Sequence, residues 1–109
     1  PRGRYAKNVE MAKTVKWTDR ALKTYVEIAT YLEEHFSHQA AMNFVHAVTE
    51  KIEALRKYPN IGRKAPKTKT LRFVLVGKHR RLYYRIEGRF LVISSIFDTR
   101  QHPKKDIFQ

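Results

Sequence analysis

The chain contains no cysteine, which excludes disulfide staples, thiolate zinc sites and cysteine nucleophiles. Glycine and proline are scarce, four of each in 109 residues, so each break in regular structure is informative. No apolar run approaches the roughly 20 residues of a membrane span, and the start lacks the apolar centre of a secretory signal. A glycine-rich nucleotide loop and a Ser–His–Asp ordering are also missing. Acidic residues are the remaining shortage: ten Asp/Glu stand against 23 Lys/Arg, for a net charge of +13. The expectation is one soluble cytoplasmic domain, since 109 residues suffice for one modest core.

The basic charge is segregated. Residues 59–109 carry 13 Lys/Arg against three Asp/Glu, whereas residues 11–58 carry seven against six. Such a surface attracts a polyanion: nucleic acid, a nucleoprotein or an acidic protein segment. Residues 1–10 show no apolar period, and Met11 reads as a natural start. They are expected to be an upstream remnant, with residues 11–109 forming the domain.

The chain is organised around residues 71–103, which read as three consecutive strands. Leu71–Val76 alternates Leu71, Phe73 and Leu75 against Arg72, Val74 and Val76. Gly77 supplies a turn residue that tolerates positive φ. Arg80–Ile86 sets Leu82, Tyr84 and Ile86 on one face and Arg81, Tyr83 and Arg85 on the other. Glu87-Gly88 turns the chain again. Phe90–Phe97 is a nearly unbroken apolar run, the pattern of a strand covered on both sides. On this reading Arg72, Arg81 and Arg85 all leave the apolar face, and Arg100 follows the last strand. Tyr84 is expected in the core with its hydroxyl on a partner. Tyr83 is expected beside the arginines, where it could stack on a base.

Ahead of these strands, Ala12–Trp17 is a short candidate strand. Thr18 suits an N-cap for a helix over about 19–36, with Trp17 placed to pack on it. Leu22, Tyr25, Ala29, Leu32 and Phe36 form its apolar stripe. Ser37 caps a second helix over about 38–58. Its inner face is Ala41, Phe44, Val45, Val48, Ile52 and Leu55; its outer face is Asn43, His46, Glu50, Glu53 and Lys57. Pro59 and Gly62 stop it. So short a link makes the helices antiparallel neighbours. Residues 60–70, NIGRKAPKTKT, form a basic loop, read either as a solvated connector or as a flexible phosphate-gripping segment that includes Lys64, Lys67 and Lys69.

The segments KTVKWTDRALKTYVEIATYLEE, IEALRKYPNIGR, RRLYYRIEG and ISSIFDTRQHPKK, in this order, resemble the RelE/ParE toxins of bacterial type II toxin–antitoxin modules. Arg81-Leu82-Tyr83-Tyr84 and Asp98-Thr99-Arg100-Gln101-His102-Pro103 are the most specific of them. The resemblance implies an α+β fold: an N-terminal strand, an antiparallel helix hairpin and a three-stranded antiparallel meander packed on the helices. It also implies an acidic antitoxin as partner. RelE-like members cut mRNA on the ribosome without a metal; ParE-like members inhibit DNA gyrase.

A metal-free RNase needs a base, an acid and cations for the charge developing on phosphorus. The resemblance offers Arg72, Arg81 and Arg100 as the cations; His79 and His102 could substitute as acid or base, since imidazole titrates near neutrality. That set is incomplete. Val74 stands at a second basic position, and Phe108 stands near the place of the catalytic tyrosine. The Tyr-Arg-Ile-Glu-Gly turn and the Asp-Thr-Arg-Gln-His-Pro tail lie closer to the ParE-like side, which makes gyrase the favoured target. On that side Arg72, Arg81, Tyr83, Arg85, Arg100, Lys64, Lys67 and Lys69 become contact residues, and no catalysis is implied. A non-toxic nucleic-acid-binding module is a third reading. None of the readings implies a cofactor, a metal, a membrane or a small-molecule substrate.

Overall fold

A computed structural model describes residues 12–100. The elements run β1 (Thr14–Trp17), α1 (Asp19–His35), α2 (His38–Lys57), a 3-10 turn (Pro59–Ile61), β2 (Arg63–Lys64), β3 (Arg72–Val76), β4 (Arg80–Glu87) and β5 (Phe90–Asp98). The five strands form one sheet in the order β1-β5-β4-β3-β2. β1 pairs with β5 in parallel; the other pairs are antiparallel. The expected α+β layout of strand, helix hairpin and meander is present, with β2 as an extra edge strand inside the basic loop.

Local chemistry fixes the hairpin. The Thr18 hydroxyl accepts from Ala21 N at 3.0 Å, and Ser37 does the same for Ala40 N, so both helices start on side-chain caps. Trp17 lies against Tyr25 with ring centroids 5.1 Å apart. The two meander turns carry Gly77 and Gly88 at φ 69° and 58°, the left-handed region that glycine enters without strain.

On α2, Ala41, Phe44, Val48, Ile52 and Leu55 of the expected face are buried, whereas Val45 is only partly buried and lies outside the core cluster. The α1 stripe is rotated from the expected one. Ala21, Ile28 and Leu32 are buried, with Tyr25 and Ala29 against them, whereas Leu22 and Phe36 are 49% and 69% exposed. Alanine is too small to weigh in a hydrophobic pattern, yet Ala21 is completely buried in the main core.

Cross-strand register decides the sheet faces, because directly opposed residues project to the same side. Arg72, Val74 and Val76 oppose Tyr84, Leu82 and Arg80 and face the helices. Phe73 and Leu75 oppose Tyr83 and Arg81 on the far side. Arg72 is therefore not on the face of Arg81 and Arg85. β3 has apolar residues at both parities, so alternation alone could not choose its inner face. A second register effect lies in β5. Tyr83 opposes Ser95 while Tyr84 opposes Ile93, leaving Ser94 as a bulge residue. Its carbonyl accepts from the Thr18 hydroxyl at 2.8 Å, tying the bulge to the start of α1.

The main core lies between helices and sheet, with Val76, Leu82, Tyr84, Leu91, Ile93 and Ile96 as the sheet contribution. A smaller cluster on the far side joins Ala65, Leu71 and Tyr83, flanked by Phe73 and Phe97. The basic loop is thus not a free connector; its Ala65 covers part of the sheet's back.

Candidate functional site

The charged residues of the sheet fall into three separate settings. The first lies at the end of the sheet beside the helix hairpin's turn. Arg80 and Asp98 are cross-strand partners on the core side, with Arg80 Nε 3.4 Å from Asp98 Oδ2. The contact is an ion pair without hydrogen-bond alignment, and Arg80 Nε has no hydrogen-bond acceptor among the described residues. Arg100 Nη2 reaches the same carboxylate oxygen at 3.4 Å, and Arg100 N donates to Oδ1 at 3.0 Å. The Arg80 guanidinium also lies 5.0 Å from the Phe44 ring centroid. Burial pushes the Arg80 guanidinium below its ordinary range; Asp98 opposes that shift and Arg100 adds to it. Two cations share one carboxylate, so this end of the sheet keeps a net positive charge. It opens on a groove of about 580 Å³ lined by Tyr31, Phe36, Phe44, Val76, Arg80 and Arg100.

The second setting is the far face. Arg81 Nη1 is 3.3 Å from the Tyr83 hydroxyl, and its guanidinium lies 4.9 Å from the Phe73 ring centroid. Tyr83 itself is fully buried, so it is not the exposed stacking residue expected from its parity. The cluster under the basic loop encloses it, a contact between segments that local alternation does not report. Arg85 follows on the same face, half-buried and paired with Glu87.

Arg72 occupies the third. Its Nη1 donates to Gly62 O at 2.9 Å and Asn60 O at 3.2 Å, so it clamps the turn after α2. His79 is an exposed turn residue whose carbonyl accepts from Thr99 N at 2.8 Å and from the Thr99 hydroxyl at 2.9 Å. Lys64, Lys67 and Lys69 are exposed on the loop. His102 lies outside the described residues. The four arginines thus do not form one grip: Arg72 and Arg81 project from opposite faces, and Arg85 and Arg100 are each paired with a carboxylate.

Arg80 was missed by sequence reasoning. Its signal was available: it shares parity with Leu82 and Tyr84, and an arginine on an apolar parity requires a buried partner. The partner, Asp98, is placed only by the bulge in β5.

Chemically, Asp98 is committed to two guanidiniums at this end of the sheet and is not placed as a free base. Among the described residues, no three His, Asp or Glu side chains come together as a metal cluster would require.

Residues 15–103 match the model of the ParE toxin of the type II toxin–antitoxin system parDE. Among solved structures, the chain is similar to one described as the chromosomal ParDE toxin–antitoxin system from P. aeruginosa, with a TM-score of 0.68 at 19% identity over 81% of this chain and 97% of that one. No curated protein matches it. With the family match running from the first strand to past the last, the chain belongs to the ParE toxin family of type II toxin–antitoxin systems.

Proposed function

We propose that this chain is a growth-arresting toxin that acts in the bacterial cytoplasm by binding DNA gyrase, and that a cognate acidic antitoxin neutralises it. Dispersal of the residues a metal-free nuclease would need carries this reading. Arg72 and Arg81 lie on opposite faces of the sheet, and Arg72 is engaged by two backbone carbonyls of its own chain. A cleavage centre requires its cations within reach of one phosphate. A contact surface tolerates cations spread over a face, and the basic half of the chain supplies them. An acidic antitoxin segment would find charge complementarity there, which mainly speeds encounter.

The test separates the two targets. Purified protein is expected to inhibit supercoiling by gyrase and to leave mRNA intact in a translation reaction. Codon-biased mRNA cleavage with unaffected supercoiling would replace this reading with the ribosome-dependent nuclease. No growth defect on induction would leave a non-toxic binding module.

A further inference from the structure

The turn that ends α2 is held more firmly than a connector needs. Tyr84, fully buried, donates its hydroxyl to Pro59 O at 2.6 Å and accepts from Gly62 N at 3.0 Å. Arg72, the cross-strand partner of Tyr84, donates to the carbonyls of Asn60 and Gly62 in the same turn. A Cβ on residue 62 would come within 2.4 Å of the Tyr84 hydroxyl and 2.9 Å of the Phe73 carbonyl oxygen. Yet the large apolar side chains of this turn point away from the core: Tyr58 is 65% exposed and Ile61 60%. A backbone fixed in this way presents both side chains with little ordering left to be done on binding.

The charge that follows the turn in the chain has one sign, the nearest carboxylate before it being Glu53, which is paired with Arg56. From Ala54 to Ile86 the chain contains no Asp or Glu. Arg63, Lys64, Lys67 and Lys69, which follow the turn, are all exposed. Protein-binding patches are depleted in lysine at their centres. An exposed aromatic ring followed by cations of a single sign instead matches a base and its neighbouring phosphates.

We propose that the turn over residues 58–61 is a binding site for single-stranded nucleic acid. The Tyr58 ring stacks on an unpaired base, Ile61 packs at the edge of that base, and the cations from Arg63 to Lys69 take the adjoining phosphates. This site is separate from the Arg80–Asp98–Arg100 end of the sheet and does not depend on gyrase being the target.

Fluorescence anisotropy on the full chain tests it, with labelled oligothymidine of about 16 nucleotides, a blunt duplex of the same length and a series of salt concentrations. The intact chain is expected to bind the oligothymidine more tightly than the duplex. Tyr58→Ala should weaken binding by about tenfold or more and leave the salt slope unchanged, while Tyr58→Phe should retain it. Lys64→Ala and Lys67→Ala should each lower the slope of log K against log salt by about 0.7. Tyr58 is exposed, so the variants should keep the far-UV spectrum and melting temperature of the parent. Unchanged binding in a folded Tyr58→Ala protein overturns the proposal, as does failure of the parent to bind at low salt. Loss of affinity for DNA-free gyrase in Tyr58→Ala, with no oligonucleotide binding by the parent, would make the turn a protein contact and also overturn it. A chain that binds the strand through Tyr58 yet spares supercoiling overturns the gyrase assignment and leaves this site standing.

Discussion

Arg80 and Asp98 oppose each other across β4 and β5 on the core side of the sheet, and their side chains are only 16% and 4% exposed. Removing the carboxylate would leave a guanidinium in low-dielectric surroundings with no compensating charge in contact. Asp98→Asn is therefore expected to destabilise the fold by roughly 3 kcal/mol. Arg100→Ala removes the exposed partner of the same carboxylate and should cost under about 1 kcal/mol. Urea denaturation of the two variants checks the contrast; equal losses would show that Asp98 is held chiefly by Arg100.

Tyr84 makes two hydrogen bonds that keep the turn at 59–62 in place. Tyr84→Phe strands Gly62 N and the Pro59 carbonyl against a hydrocarbon edge and should cost about 1–3 kcal/mol. Burial raises the phenol above its ordinary value, the largest effect on it, while the Gly62 amide and Arg72 pull the other way. A raised folded value favours the neutral form, so this contribution is complete below the unfolded phenol's value of about 10 and is lost as pH rises through the folded one. Partly buried Tyr25 shifts in the same direction, again by desolvation. Thermal melts between neutral and strongly alkaline pH should show a decline that is smaller in Tyr84→Phe.

The rotated stripe of α1 predicts opposite results for two neighbouring classes of residue. Phe36→Ser, at a 69% exposed position, should change stability by no more than about 0.5 kcal/mol. Ala21→Leu forces extra methylenes into a site with no exposure and should cost about 1–3 kcal/mol. Ile52→Asp on α2 buries a charge against the sheet and should unfold the chain. Circular dichroism and denaturant midpoints decide; a folded Ile52→Asp protein would contradict the packing of α2.

Arg81 packs over Phe73 and reaches the Tyr83 hydroxyl on the face opposite the helices. Arg81→Ala is expected to reduce growth arrest on induction while the melting temperature falls only slightly, since a half-exposed cation–π contact contributes about 0.5–1 kcal/mol. Full toxicity in a well-expressed variant would remove Arg81 from the functional surface.

Much of this was legible in the sequence because it rests on contacts between residues close in the chain. Caps at Thr18 and Ser37, the glycine turns at 77 and 88, the inner face of α2 and the order of the elements all follow from spacing and backbone chemistry. The site was less legible. Arg72, Arg81, Arg85 and Arg100 are visible as cations in any reading, but where each one points depends on register. One bulge at Ser94 and a strand apolar at both parities were enough to send Arg72 to one face and Arg81 to the other.

By itself, the sequence determined the charge, its segregation into the second half, the helix hairpin and the meander, since periodicity and turn chemistry act over a few residues. The tertiary structure decided which face of the sheet each arginine occupies and which group of the chain it engages. It also covered Tyr83, exposed Tyr58 and placed Asp98 between two guanidiniums. Those outcomes depend on strand pairing across gaps of ten residues and more, where no local pattern carries the information and only the packed sheet fixes it.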